Sequence, residues 1–138
     1  MPRRILVVDD ELYVTQLLSF ILRRAGDEVF TADEGQGACA MAHELVPDLI
    51  IADYQMPGIN GMEMARQLRA DPATAEVPVL VLTARGHRLN PHDVDGTSVR
   101  CMLAKPFSPR ELLARVEEMI GPGCSTQTKL PGTDAAVA

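Results

Sequence analysis

Short, wholly apolar runs alternate along this chain with stretches in which apolar residues return every three or four positions. Ile5-Leu6-Val7-Val8, Leu49-Ile50-Ile51-Ala52 and Val79-Leu80-Val81-Leu82 leave no polar face. Each therefore predicts a strand covered on both sides. Glu28 to Ala32 and Val99 to Ala104 predict two further strands. Between them, Leu17, Leu18, Ile21 and Leu22 mark a helix that stops at Gly26, and Ala38, Met41, Ala42 and Leu45 mark a second that ends near Pro47. Asp33, with Gln36 three residues on, is the expected start of that second helix. A third helix is expected over 61–70, closed by Asp71-Pro72. Ser108, Pro109 and Glu111 form a strong helix start, with Leu112, Leu113, Val116, Met119 and Ile120 facing inward and Gly121-Pro122 as the stop. The segment 85–95 holds only Leu89 and Val94 as large apolar residues and is broken by Gly86 and Asn90-Pro91. A short or irregular helix is expected there.

Five apolar strands separated by helix-length segments define an α/β chain with a parallel, doubly wound sheet and helices on both faces. In such a sheet, ligands bind outside the carboxyl ends of the strands. The residues at those ends are Asp9 and Asp10 after the first run, Asp53 after the third, Thr83 and Ala84 after the fourth, and Lys105 after the fifth. Taken singly, each has a plain reading: a helix cap for Asp9 or Asp10, a solvated loop acid for Asp53, a strand-end hydroxyl for Thr83, a turn lysine for Lys105. Taken together, three acids at one sheet edge repel one another unless a hard dication such as Mg²⁺ sits among them. A carboxylate nucleophile, a metal and an ammonium are the parts that phosphoryl transfer to a carboxylate uses.

Composition narrows the setting. The chain has 138 residues, 46% of them hydrophobic and 23% charged, and a net charge of −6. One domain is expected over 1–120, followed by a disordered tail at 121–138 rich in Gly, Pro, Ser, Thr and Ala. The acidic balance argues against a nucleic-acid or anionic-membrane surface. The apolar stretch after Met1-Pro2-Arg3-Arg4 ends at two aspartates, too soon for a secretory leader, and a cytoplasmic protein is expected. Cys39, Cys101 and Cys124 show no close pairing and read as free thiols. His43, His87 and His92 lack the spacing of helical metal ligands.

The stretches ILVVDDE (5–11), IIADYQMPGINGMEM (50–64), VLVLTA (79–84) and LAKPFSPREL (103–112) resemble the receiver domains of two-component response regulators, and the resemblance runs from residue 3 to about 120. It implies a flavodoxin-like five-stranded sheet in the order 2-1-3-4-5. It implies that Asp53 accepts a phosphoryl group from the phosphohistidine of a histidine kinase or histidine phosphotransfer protein. Asp10, Asp53 and the Gln55 carbonyl would hold Mg²⁺, with Asp9 acting mostly through water. Lys105 would pair with the phosphoryl group, Thr83 would be the switch hydroxyl, and Lys105-Pro106 would be cis. The surface near residues 83–105 would then bind a downstream effector protein. Met102 stands where the family usually has an aromatic residue, and Asn60 where Asp is frequent.

Two other functions fit the fold. One is a protein-interaction module that works without phosphorylation. The other is a turnover phosphatase with an aspartate nucleophile, which needs a second acid two residues further on to protonate the leaving group. Gln55 occupies that place. A signalling module is therefore expected and a turnover enzyme is not.

Overall fold

The computed structural model of the chain describes residues 2–84 and 97–121. The expected irregular helix at 85–95, the tail beyond Gly121, and Cys124, His87 and His92 lie outside the described residues. Within them the order is β1 (Arg4–Val8), α1 (Leu12–Arg24), β2 (Glu28–Ala32), α2 (Gly35–Leu45), β3 (Leu49–Asp53), α3 (Gly61–Ala70), β4 (Val79–Thr83), β5 (Val99–Ala104) and α4 (Pro109–Ile120). The strands form one parallel sheet in the order β2-β1-β3-β4-β5.

Strand periodicity divides the core into two layers. Ile5, Val7, Leu49, Ile51, Leu80 and Leu82 point to the side covered by Leu18, Ile21 and Leu22 of α1 and Leu112 and Val116 of α4. Leu6, Val8, Ile50, Ala52, Val79 and Val81 point to the other side, under Ala38 and Ala42 of α2 and Met62, Met64, Ala65 and Leu68 of α3. Both faces of β1, β3 and β4 are thus covered, which is why their sequences are unbroken apolar runs. β2 and β5 are the sheet edges, and their burial is correspondingly patchy. At the opposite end of the sheet from the strand-end acids, the buried Arg3 guanidinium makes two hydrogen bonds to Asp27 and a third to the Gly121 carbonyl. It joins the starts of β1 and β2 to the end of α4.

The helix start expected at Ser108 is a capping box closed by Glu111, and α3 opens on a second one, Asn60 with Glu63, that the sequence reading did not name. Two expectations are corrected. Glu34, not Asp33, caps α2, accepting from the Gly37 N–H at 2.9 Å. That shift sets Gly35 at the first helical position, against Ile59, where an added Cβ would lie 2.4 Å from Ile59 Cγ1. Leu17 is 42% exposed and does not share the inner face of α1. One residue turns a helix by about 100°, and with Leu18, Ile21 and Leu22 turned inward Leu17 is carried to the outer side.

Candidate functional site

The carboxyl ends of β1, β3, β4 and β5 bring Asp9 and Asp10, Asp53, Thr83 and Lys105 to one edge of the sheet. The ladder fixes the alignment: Val8 pairs with Ala52, Asp53 with Leu82, and Thr83 with Ala104. The Lys105 N–H continues that ladder to the Thr83 carbonyl at 2.8 Å, and the Lys105-Pro106 bond is cis, as expected. Residues separated by up to about a hundred positions therefore meet because they follow neighbouring strands.

Asp9 is 2% exposed, Asp53 is half-buried and Asp10 is exposed. One oxygen from each of the three lies within 4.8 Å of the others. Lys105 Nζ is 2.8 Å from Asp53 Oδ1 and 3.9 Å from Asp9 Oδ2. Asp9 Oδ1 accepts the Glu11 N–H at 2.9 Å, but Asp9 Oδ2 is buried without a hydrogen-bond partner. Neither Asp9 nor Asp10 is the cap of α1; that place belongs to Glu11, whose side chain makes no capping bond. The helix-cap reading of the paired acids is thereby removed.

Electrostatics follow from this geometry. Burial pushes Asp9 up, the Glu11 N–H opposes it, the Asp53 charge adds to the rise, and the balance stands at about 6 against an ordinary 3.8. For Lys105, burial alone would lower the pKa. The hydrogen bond and charge of Asp53, then the charges of Asp9 and Glu11, outweigh it and hold the ammonium above its usual value. A dication among the carboxylates would satisfy the orphaned Asp9 Oδ2 and relieve the repulsion that raises Asp9. The residues present fit a hard metal ion.

A recess of about 80 Å³ is lined by Asp53, Tyr54, Gln55, Ala84 and Lys105. Thr83 is 5% exposed at the end of β4. The loop after Asp53 is held by Tyr54 N–H to the Leu82 carbonyl and Gly61 N–H to the Tyr54 carbonyl. Gly61 was read from sequence only as a helix start, yet it governs how closely α3 approaches the site. An added Cβ would stand 2.7 Å from the Asp53 carbonyl oxygen and 3.2 Å from Tyr54 Cα. Both are backbone atoms that cannot swing aside. Gly61→Ala is expected to destabilise the fold by about 1–3 kcal/mol and to weaken divalent-ion binding, as read by urea unfolding and ion titration. A neutral result in both would show that the loop gives way.

The sequence model of the response regulator receiver domain matches residues 5–117. The chain is 39% identical over 128 residues to the phosphate regulon transcriptional regulatory protein PhoB of Pseudomonas aeruginosa, covering 89% of this chain and 55% of that protein. It is 38% identical over 120 residues to the DNA-binding dual master transcriptional regulator RpaA of a Synechocystis species, covering 87% and 49%. This chain spans about half the length of these relatives. Among solved structures, a putative response regulator from Chloroflexus aurantiacus superimposes with a TM-score of 0.81 at 36% identity, over 87% of this chain and 98% of that one. The receiver domain of the Pseudomonas aeruginosa sensor histidine kinase PA1611, with magnesium coordinated in its active site cleft, gives 0.79 at 27% identity, over 88% and 99%.

The chain belongs to the response regulator receiver domain family of two-component systems. Its flavodoxin-like sheet order is the one the motifs implied. Among the described residues, no helix is long and apolar enough to cross a membrane.

Proposed function

We propose that this domain is a phosphoacceptor, in which Asp53 takes a phosphoryl group from a phosphohistidine on a histidine kinase or histidine phosphotransfer protein. The observation that carries this reading is the meeting of Asp9, Asp10 and Asp53 within 4.8 Å, opposite the Lys105 ammonium. An Asp53 carboxylate oxygen attacks phosphorus; a P–O bond forms while the P–N bond of the donor breaks, and the imidazole leaves. Asp9, Asp10, Asp53 and the Gln55 carbonyl would hold Mg²⁺, which when bound offsets the charge of the carboxylates and of the incoming phosphoryl oxygens.

Lys105 stabilises negative charge on the transferred group from the other side. The ammonium has only to exchange its 2.8 Å bond with Asp53 Oδ1 for a phosphoryl oxygen. Thr83 lies at the next strand end, and its hydroxyl would donate to a second phosphoryl oxygen. Moving Thr83 and Lys105 together changes the surface around residues 83–105, where an effector protein would sense the modification. Gln55 is exposed and has no proton to give a leaving alcohol, so repeated ester hydrolysis is not the proposed role. The longer relatives are named as transcriptional and DNA-binding regulators. The acidic stretch described here is read as the phosphoacceptor part of such a system and not as a DNA-contacting surface.

The test is incubation with acetyl phosphate and Mg²⁺ followed by intact-mass measurement. Wild type should gain one phosphoryl group, while Asp53→Ala should gain none and chelation of Mg²⁺ should block the gain. Equal absence of phosphoprotein in wild type and variant would favour an interaction module that keeps the fold without the chemistry.

A further inference from the structure

α2 and α3 cover one face of the sheet side by side, and they meet at three levels. At the first level Gly35 of α2 lies against Ile59, just before α3. In the middle the Cys39 thiol reaches the Met64 carbonyl at 3.9 Å. At the far end His43 Nδ1 stands 2.7 Å from Asp71 Oδ2. The first two contacts are uncharged, whereas the third is an ion pair whenever the imidazole is protonated. It lies at the opposite end of α3 from Gly61 and the strand-end acids, and the phosphoryl chemistry does not use it.

Most exposed ion pairs contribute little, because two long side chains must be ordered to make them. Here most of that ordering is done beforehand. Asp71 caps α3, with its N–H bonded to the Leu68 carbonyl and its own carbonyl accepting the Thr74 N–H. Its Oδ1 accepts the Ala73 N–H at 3.0 Å, which fixes the carboxylate and leaves Oδ2 for His43. Fully buried Thr74 anchors the turn, its hydroxyl donating to the Leu68 carbonyl at 2.7 Å. His43 stands in the last turn of α2, where the helix dipole favours a cation. Its short ring also has less rotamer freedom to lose than Lys or Arg.

We propose that His43 and Asp71 are a pH-sensitive clasp, which ties the end of α2 to the turn after α3 and slackens as the imidazole loses its proton. The hydrogen bond to Asp71, and then the Asp71 charge, hold the His43 imidazolium above the ordinary 6.5, with Glu44 adding to the rise. Asp71 is held below the ordinary 3.8, first by the bond to His43 and then by the Ala73 N–H. The histidine's contribution is complete below 6.5 and is lost as pH rises through the higher folded value. The aspartate's is present above 3.8 and is lost as pH falls through the lower folded value. The clasp is tight between the two. Above that window the neutral ring can still donate from Nδ1, but without the charge that strengthens the bond. The Cys39 thiol, one turn earlier on α2, is pushed up by burial and then by Asp71, so it carries no charge in this window. On the α3 side Arg69 is engaged by the Ala75 carbonyl and Glu76, Glu63 closes the cap at the far end, and Arg66 is the remaining cation of the helix. Under α2, Arg4 of β1 lies over the Phe30 ring of β2.

A double-mutant cycle on the full chain tests the proposal, with His43→Gln, Asp71→Asn and the two together followed by urea unfolding at about pH 5.5 and about pH 9. At the lower pH each single change should lower the unfolding midpoint, and adding the second should lower it little further. At the higher pH most of that coupling should be gone, while the titration of other groups cancels within the cycle. By NMR, the His43 ring should titrate above 6.5 in wild type and fall back toward that value in Asp71→Asn. A merely structural role for either residue would not move that midpoint. No coupling at the lower pH, equal coupling at both, or a His43 midpoint indifferent to Asp71→Asn would overturn the proposal.

Discussion

Lys105→Ala should slow phosphorylation of Asp53 by acetyl phosphate about a hundredfold, the usual result of deleting one preorganised charge from a transferring group, and at the same time tighten Mg²⁺ binding. The two effects have opposite signs for one reason. Lys105 Nζ sits 2.8 Å from Asp53 Oδ1 and 3.9 Å from Asp9 Oδ2, so it competes with a dication for the same oxygens. Removing it leaves three carboxylates with no counter-charge among them. The ion then binds more firmly, while the transferred group loses its clamp on the far side. A variant that had simply unfolded would lose both properties. Ion titration and the initial rate of phosphoprotein formation, measured on the same preparation, separate these outcomes. Weaker ion binding in Lys105→Ala would contradict the competition.

Asp9→Asn is expected to stabilise the metal-free domain at alkaline pH. In the folded chain Asp9 holds its proton up to about 6, whereas its ordinary value is 3.8. Between those values the native state carries a proton that the unfolded chain has released, so stability falls as pH rises through that window. Above about pH 6 the whole penalty is present, up to about 3 kcal/mol; below the ordinary carboxyl value it is absent. Asn retains an acceptor for the Glu11 N–H but brings no charge into the buried site. In the presence of a chelator at pH 8, the melting temperature of the variant should exceed that of wild type by roughly 10 °C. The gap should close near pH 4. Saturating Mg²⁺ should raise wild type and leave the variant nearly unmoved. An Asn variant less stable than wild type at every pH would show that Asp9 is held by contacts other than those described.

The legible and illegible parts of this molecule divide along physical lines. β1, β3 and β4 could be read directly because both faces are buried, and such strands have nowhere to place a polar residue. Their ends then located the acids and Thr83, and the end of β5 located Lys105, without any knowledge of distance. Which of two adjacent aspartates turns inward was not legible. Asp9 is 2% exposed while Asp10 is open, a choice made by where β1 ends and how Glu11 closes on it. The outward turn of Leu17 was hidden for a similar reason. Leu17 fits a helical stripe with its neighbours, and only packing on the sheet decides that Leu18, Ile21 and Leu22 win the inner side. The Glu34 cap and the tight passage at Gly61 depend on Ile59 and on the Asp53 carbonyl, partners that no local pattern names.

Replacing Mg²⁺ with Mn²⁺ and recording the amide spectrum addresses the arrangement itself, because paramagnetic broadening falls off steeply with distance from the ion. Broadening confined to the amides near Asp9, Asp10, Asp53, Gln55, Thr83 and Lys105, and abolished by Asp10→Asn together with Asp53→Asn, is the predicted result. Broadening spread evenly over the domain, or centred on another surface, would contradict a single dication held at the carboxyl ends of β1 and β3.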